Sequence, residues 1–170
     1  LTAYNKCLKE KNSMLKCNVI DKEYLYVLHE KMANYIFNIK NFRRKVLKGL
    51  QDKSIQIHKQ LTNNKEVLIL EYISDFTDLS VDEIRKKLDS YLELEIIRKI
   101  SLKGIQRDDI GIYINDLEVC KFGSQGQRRT ALLSLKLANF ELIKEIKECT
   151  PILLLDDIMS ELDNSRINFL

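Results

Sequence analysis

Apolar residues in the first half of the chain recur at helical spacing. From Leu25 they continue through Leu28, Met32, Tyr35, Ile39, Phe42 and Val46, in steps alternating between three and four. This is a heptad seam, and it predicts a long helix that Asp21 caps and that ends near Gly49. An earlier helix is predicted over 2–17. A further one around 53–62 is closed by Asn63-Asn64. The expected product is a helical hairpin or short coiled-coil arm, although a plain bundle core would carry the same seam. Beyond it, EVLILEYI at 66–73 is apolar and β-branched enough for a strand. Ser80 with Glu83 three residues on makes a capping box for a helix running to about 97. KISLKGI and IGIYIND then read as two strands joined by QRDD, with Ile112 and Ile114 alternating. FGSQGQRRT at 122–130 precedes a helix over about 127–148, and PILLLDD gives a short buried strand ending in two carboxylates. The fold class is α/β, mainly helical. The pattern divides into a helical arm domain over 1–98, with one strand near 66–73, and a second domain over 99–170.

Charge modifies this picture. The net charge of +3 hides an asymmetry: residues 1–65 carry 14 Lys/Arg against 5 Asp/Glu, and residues 66–170 carry 14 against 20. A basic half followed by an acidic half implies modules with different partners, one of them polyanionic. Lys40, Arg43, Arg44, Lys45 and Lys48 gather toward the end of the heptad helix, where they could contact phosphates without reading sequence. Tyr24, Tyr26 and Tyr35 lie near this run and read as packing residues. No apolar run approaches the length that spans a membrane. Cys7, Cys17, Cys120 and Cys149 lie far apart without a CxxC pair, and with only His29 and His58 to join them they read as reduced thiols. The chain opens without Met and in mid-helix pattern, so a piece of a longer protein is expected.

Three short patterns carry the chemistry. A continuous apolar strand such as ILLL suits a parallel sheet buried on both faces, and open α/β sheets bind ligands at the carboxyl ends of such strands. Asp156 and Asp157 stand at that end. Adjacent strand residues point to opposite faces, so a division of labour follows, one acid serving Mg²⁺ or its water shell and the other facing a reacting water. In FGSQGQ, Ser124 can cap the following helix, and the flanking glycines let backbone N–H groups approach a ligand closely. An anion at a helix N-terminus meets free N–H groups and the positive end of the dipole. SELD at 160–163 follows the acidic pair directly.

In this order and spacing the patterns resemble the second half of an ABC-type ATPase head of the SMC kind: SQGQ at 124–127 the signature, ILLLDD at 152–157 the Walker B strand, SELD the D-loop. The resemblance is closer to the RecF family. YNKCLKEKNSMLK is similar to that family's YN-x-x-L-x-x-RN-x-LLK stretch, GIQRDDIGIYIND to its GPHRDD hairpin, and FGSQGQRRT to its FASQGQQRT. Ile105 and Gln106 depart from the family's Pro and His, and Lys11 from its Arg. The second acid, Asp157, is shorter than the Glu of most ABC proteins, consistent with slow hydrolysis. No GxxxxGK[ST] occurs in these residues, so the loop that cradles the β- and γ-phosphates is expected upstream.

The resemblance implies two heads sandwiching ATP, so that a weak ATPase becomes an ATP-dependent dimer that binds DNA. Ser124, Gln125, Gly126 and Gln127 would act in trans on nucleotide held by a second copy. Asp156 would support Mg²⁺, Asp157 would polarise the attacking water, and Ser160 and Asp163 would belong to the D-loop. Neither ATP nor Mg²⁺ is expected to bind this chain tightly by itself. The implied setting is bacterial and cytoplasmic, at gapped double-stranded DNA near single-strand junctions, with RecO and RecR as partners in loading RecA. An SMC-type coiled-coil ATPase is the first alternative, and its far longer arms argue against it. A non-enzymatic helical DNA-binding scaffold is the second.

Overall fold

The structure is a computed structural model and describes residues 1–147 and 150–152. Its elements are α1 (Thr2–Met14), α2 (Lys22–Leu61), β1 (Leu68–Ile73), α3 (Val81–Ser90), α4 (Leu92–Arg98), a 3-10 turn (Ile105–Arg107), β2 (Asp109–Ile114), β3 (Leu117–Glu118), α5 (Val119–Phe122) and α6 (Gln125–Lys147). The mainly helical α/β class agrees with the pattern. Two compact units emerge: Leu1–Lys45 with Tyr72–Asp109, and Val46–Glu71 with the described residues from Ile110 on.

Asp21 caps α2 as expected, its carboxylate accepting the Tyr24 amide at 2.9 Å. The helix then runs unbroken for 40 residues. The expected stop near Gly49 is therefore corrected, and 22–49 and 53–62 are one helix rather than two arms of a hairpin. A glycine inside a helix costs about 1 kcal/mol relative to alanine, too little to interrupt a hydrogen-bonded ladder. The bare Cα also has a packing use, because a Cβ on Gly49 would stand 3.3 Å from Leu142 Cδ1. Closure comes where the two asparagines predict it. Asn63 and Asn64 take left-handed φ values of 51° and 59°, and the Asn64 amide returns to the Lys59 carbonyl at 2.8 Å.

The heptad seam also shifts. Leu25, Leu28 and Met32 are fully buried, but Phe42 is 68% exposed and Val46 is exposed. A straight helix turns every 3.6 residues, so a 3.5-residue seam drifts about 20° per heptad off the buried face. The true stripe passes through Leu25, His29, Met32, Ile36, Lys40 and Leu47, and later through Ser54, His58 and Leu61.

In the first unit, Tyr4, Cys7 and Leu15 pack with Leu25, Leu28, Met32 and Ile36, and with Phe76, Ile84, Leu88, Leu92 and Ile105. The capping box at α3 forms as predicted, with Ser80 accepting the Glu83 amide and Glu83 accepting the Ser80 amide. The helix after it divides at Tyr91, and α4 ends at Lys99 in the left-handed region. Residues 99–104 are not the expected strand. The amides of Lys99 and Ile100 return to the Ile96 and Glu95 carbonyls, and the next three meet side chains: Ser101 donates to Asn12 Oδ1 at 2.8 Å, and Leu102 and Lys103 donate to Glu95 Oε1 at 2.6 and 3.3 Å. A backbone held this way has no donors left for a ladder.

The hairpin instead joins β2 to β3, with Ile114 opposite Leu117 and Tyr113 opposite Glu118. Asn115 and Asp116, at φ 48° and 65°, make the tight turn that favours such residues. The sheet order is β1-β2-β3. In the second unit Leu68, Ile114, Val119 and Ala131 form the core, with Ile112 against them. Among the described residues Cys7, Cys17 and Cys120 are free thiols, no group of three or more metal-ligating side chains occurs, and no helix is long and apolar enough to cross a membrane.

Candidate functional site

The four residues SQGQ come together at the N-terminus of α6. Ser124 Oγ accepts the Gln127 amide at 3.2 Å, and Gln127 Oε1 accepts the Ser124 amide at 3.0 Å. This is a reciprocal capping box built from Ser and Gln. The Arg128 amide makes the first intrahelical bond, to the Ser124 carbonyl, at 3.0 Å. The amides of Gln125 and Gly126 precede that ladder on exposed residues, with no acidic residue in the first turn to occupy them. Ser124, Gln125 and Gly126 are exposed.

The two glycines differ in kind. A Cβ on Gly123 would stand 2.6 Å from the Val119 carbonyl oxygen, so the chain's own packing requires that glycine. A Cβ on Gly126 would meet nothing nearer than Ser124 Oγ at 4.0 Å. The fold does not need a glycine at 126, and the space it leaves opens outward.

Arg128 fastens the approach to this turn. Its Nε donates to the Val119 carbonyl at 3.2 Å, which also accepts the Gly123 amide, and a guanidinium nitrogen donates to the Cys120 carbonyl at 3.1 Å. Below the turn lies a polar chain. Thr130 Oγ1 donates to the Gly126 carbonyl at 2.8 Å, and Ser134 Oγ to the Thr130 carbonyl at 2.7 Å. His58 Nδ1 stands 3.0 Å from Ser134 Oγ, and His58 Nε2 stands 3.2 Å from Glu66 Oε2. Gln127 Nε2 donates to Glu66 Oε1 at 3.0 Å and closes the circuit. Sequence reasoning missed Glu66, His58 and Arg128. The i, i+4 pair Thr130 and Ser134 was a visible signal of a polar stripe on α6, whereas nothing local points from Gln127 to a residue 61 positions earlier.

The basic cluster separates. Lys40 is 2% exposed, and its ammonium donates to the Phe76 carbonyl at 2.8 Å and to that of Leu79. Burial, ahead of the nearby Arg44 charge, pushes its pKa below the usual lysine value. Lys40 is thereby removed from the cations open to a phosphate. Arg43 pairs with Asp108 at 2.8 Å and donates to the Ile105 carbonyl at 2.7 Å, while Arg44 pairs with Asp78 at 3.2 Å. Lys45 and Lys48 are exposed. Asp156, Asp157, Ser160 and Asp163, with Cys149, lie outside the described residues.

No protein-family model matches the chain. Among curated proteins it is 40% identical to the DNA replication and repair protein RecF of Clostridium perfringens over 168 residues. It is 44% identical to RecF of Lactococcus lactis subsp. cremoris over 166 residues. These alignments cover 98% and 96% of this chain but 46% and 45% of the relatives, so the chain spans about half their length. A solved structure of the recombination mediator RecF with ATP, from the RecFOR pathway, superposes with a TM-score of 0.88 at 32% identity, covering 98% of this chain and 47% of that one. A second RecF structure, with an ATP analogue, gives 0.84 at 33% identity over 96% and 46%. The fold is that of part of an ABC-type ATPase. Within that class the chain is a homologue of RecF.

Proposed function

We propose that this chain supplies the signature half of an ATP-dependent, DNA-binding dimer of the RecF type, in which the turn at 124–127 closes on nucleotide held by a second copy. The observation that carries the reading is the pair of facts at that turn. The Ser124–Gln127 box satisfies the amides of those two residues within the turn, and Gly126 leaves space that internal packing does not use. Two amides ahead of the helical ladder, the helix dipole and the absence of a first-turn acid fit an anionic group there. ATP, when bound between two copies, would supply the phosphate that both grip. In this chain Ser124 and the Gly126 amide would donate to it, and Gln125 and Gln127 would complete the turn. By the family resemblance, Asp156 would hold Mg²⁺, Asp157 would orient the attacking water, and Ser160 and Asp163 would face the partner copy. DNA repair and replication, double-stranded DNA near a gap, RecO and RecR as partners, and loading of RecA belong to the same reading. Arg43, Arg44, Lys45 and Lys48 are its candidate phosphate contacts.

The test uses the full-length protein and two substitutions. Ser124→Arg should abolish ATP-driven dimerisation, read by light scattering after size exclusion, while binding of a fluorescent ATP analogue persists. Gly126→Ala fills open space and should leave thermal stability unchanged or raise it by up to about 1 kcal/mol, while weakening the dimer. Dimers that form normally in both variants would sink the trans role. The 170-residue chain alone should show no ATP turnover.

A further inference from the structure

Resting on that reading of the signature turn, we propose that Glu66 is a positioning residue for it, holding the Gln127 side chain in the one orientation that keeps the capping box closed. Gln127 uses both ends of a single amide group. Its Oε1 accepts the Ser124 N–H at 3.0 Å, and its Nε2 donates to Glu66 Oε1 at 3.0 Å. A flip of that amide would present an NH₂ to the Ser124 N–H and an oxygen to a carboxylate. Both contacts would become repulsive. An ionised carboxylate only accepts, so Glu66 selects the closing orientation.

Glu66 has a second neighbour behind it. Its second oxygen stands 3.2 Å from Nε2 of the fully buried His58 on α2. The ring's other nitrogen meets Ser134 Oγ at 3.0 Å. The Ser134 hydroxyl already donates to the Thr130 carbonyl, so it accepts from His58 Nδ1–H, and Nε2 pairs with Glu66 only when the ring carries both protons. Thr130 in turn donates to the carbonyl of Gly126, the glycine at the opening of the turn. The circuit therefore grips the turn at two points, the Gln127 amide and the Gly126 carbonyl, and ties both to α2 and to the segment leading into β1. Residues far from SQGQ in sequence thus hold the turn in place.

The experiment compares Glu66→Ala and Glu66→Gln in the full-length protein, with Ser124→Arg as the reference for the trans reading. Hydrogen exchange reports the turn itself, without nucleotide. In Glu66→Ala the amides of Gln127 and Arg128 should exchange about ten-fold faster than in the parent, the loss expected when a charge-assisted hydrogen bond is removed. Glu66→Gln keeps an acceptor for Gln127 and should stay within about three-fold. In the same variants the protein concentration needed for ATP-driven dimers should rise about ten-fold for alanine and change little for glutamine, with binding of the ATP analogue by the monomer unaltered. Unchanged exchange in Glu66→Ala would overturn the proposal. So would a lowered melting temperature together with lost ATP binding, which would make Glu66 a general structural residue. If Ser124→Arg leaves the dimer intact, the trans reading has failed on its own, and the exchange comparison still decides whether Glu66 orders the turn.

Discussion

The pair Lys11 and Glu95 offers the largest stability effect that can be worked from named contacts. Lys11 Nζ stands 2.6 Å from Glu95 Oε2, and both side chains are fully buried. Burial, the largest influence, pushes the Lys11 pKa below its usual value even though the Glu95 charge and hydrogen bond oppose the shift. The pair is thus one whose desolvation cost rivals its attraction. Breaking such a pair by removing one member costs about 3–5 kcal/mol, while replacing both members with apolar groups is often neutral. Here the second half of that rule should fail. Glu95 also accepts the Leu102 and Lys103 amides at 2.6 and 3.3 Å, and an apolar residue at 95 would leave both part-buried donors without that partner. Each orphaned donor costs about 1–3 kcal/mol.

The ranking of variants follows directly. Lys11→Met should lose about 3 kcal/mol. Lys11→Met/Glu95→Leu should recover nothing and lose about as much or more, through the two amides. Lys11→Met/Glu95→Gln keeps an acceptor, removes both charges and should return to within about 1 kcal/mol of the parent. For a chain of 170 residues each kcal/mol moves the melting temperature by roughly 2–4 °C, so the single Met variant should melt about 6–12 °C lower. Urea midpoints at constant slope give the free energies. A Lys11→Met chain within 1 kcal/mol of the parent, or a Met/Leu double variant more stable than the Met/Gln one, would refute the reasoning about which group serves the 101–103 loop.

Two further outcomes follow from the first unit. Gly104 sits at φ 153°, and a Cβ there would lie 2.2 Å from Gln106 Oε1 and 2.3 Å from the Tyr4 hydroxyl, so Gly104→Ala should cost about 2–3 kcal/mol in thermal melts. A loss under about 0.5 kcal/mol would show that the 3-10 turn relaxes freely. The His29 ring is fully buried against Asp89 at 2.7 Å, and burial followed by the Lys11 charge holds its pKa below the ordinary value. Below about pH 6.5 the unfolded chain binds a proton that the folded one refuses, so stability falls as pH drops, down to the folded ring's own lower pKa. His29→Gln should reduce the fall in urea midpoint between pH 7.5 and 5.5. An equal or steeper fall in the variant would contradict this assignment.

What was legible in the sequence is what short spacing encodes. Ser80 with Glu83 and Ser124 with Gln127 are both residues three apart whose side chains exchange bonds with each other's backbone, and both form. Asn63-Asn64 closes α2 because asparagine tolerates the left-handed region. The misreadings have equally local causes. A heptad template held over seven positions put Phe42 and Val46 on the buried face, where a 3.6-residue period puts them in solvent. The same error hid Lys40 in a run of cations, although it follows buried Ile36 by four residues and shares its face. A lysine at that position had to find carbonyls, and it found those of Phe76 and Leu79. Residues 99–104 have a strand's composition but not a strand's partners, because Glu95, on the helix just before, and Asn12, on a helix remote in sequence, took the amides of 101–103 first. Glu66 under the 124–127 turn belongs to this last kind. Its role depends on where the fold brings Gln127, and a carboxylate in a polar segment before a strand carries no mark of that. Long-range polar satisfaction is thus where pattern reading runs out at this site. It is also where the Ser124 cap, readable from the sequence, meets a contact that is not, Gln127 Nε2 donating to Glu66 Oε1.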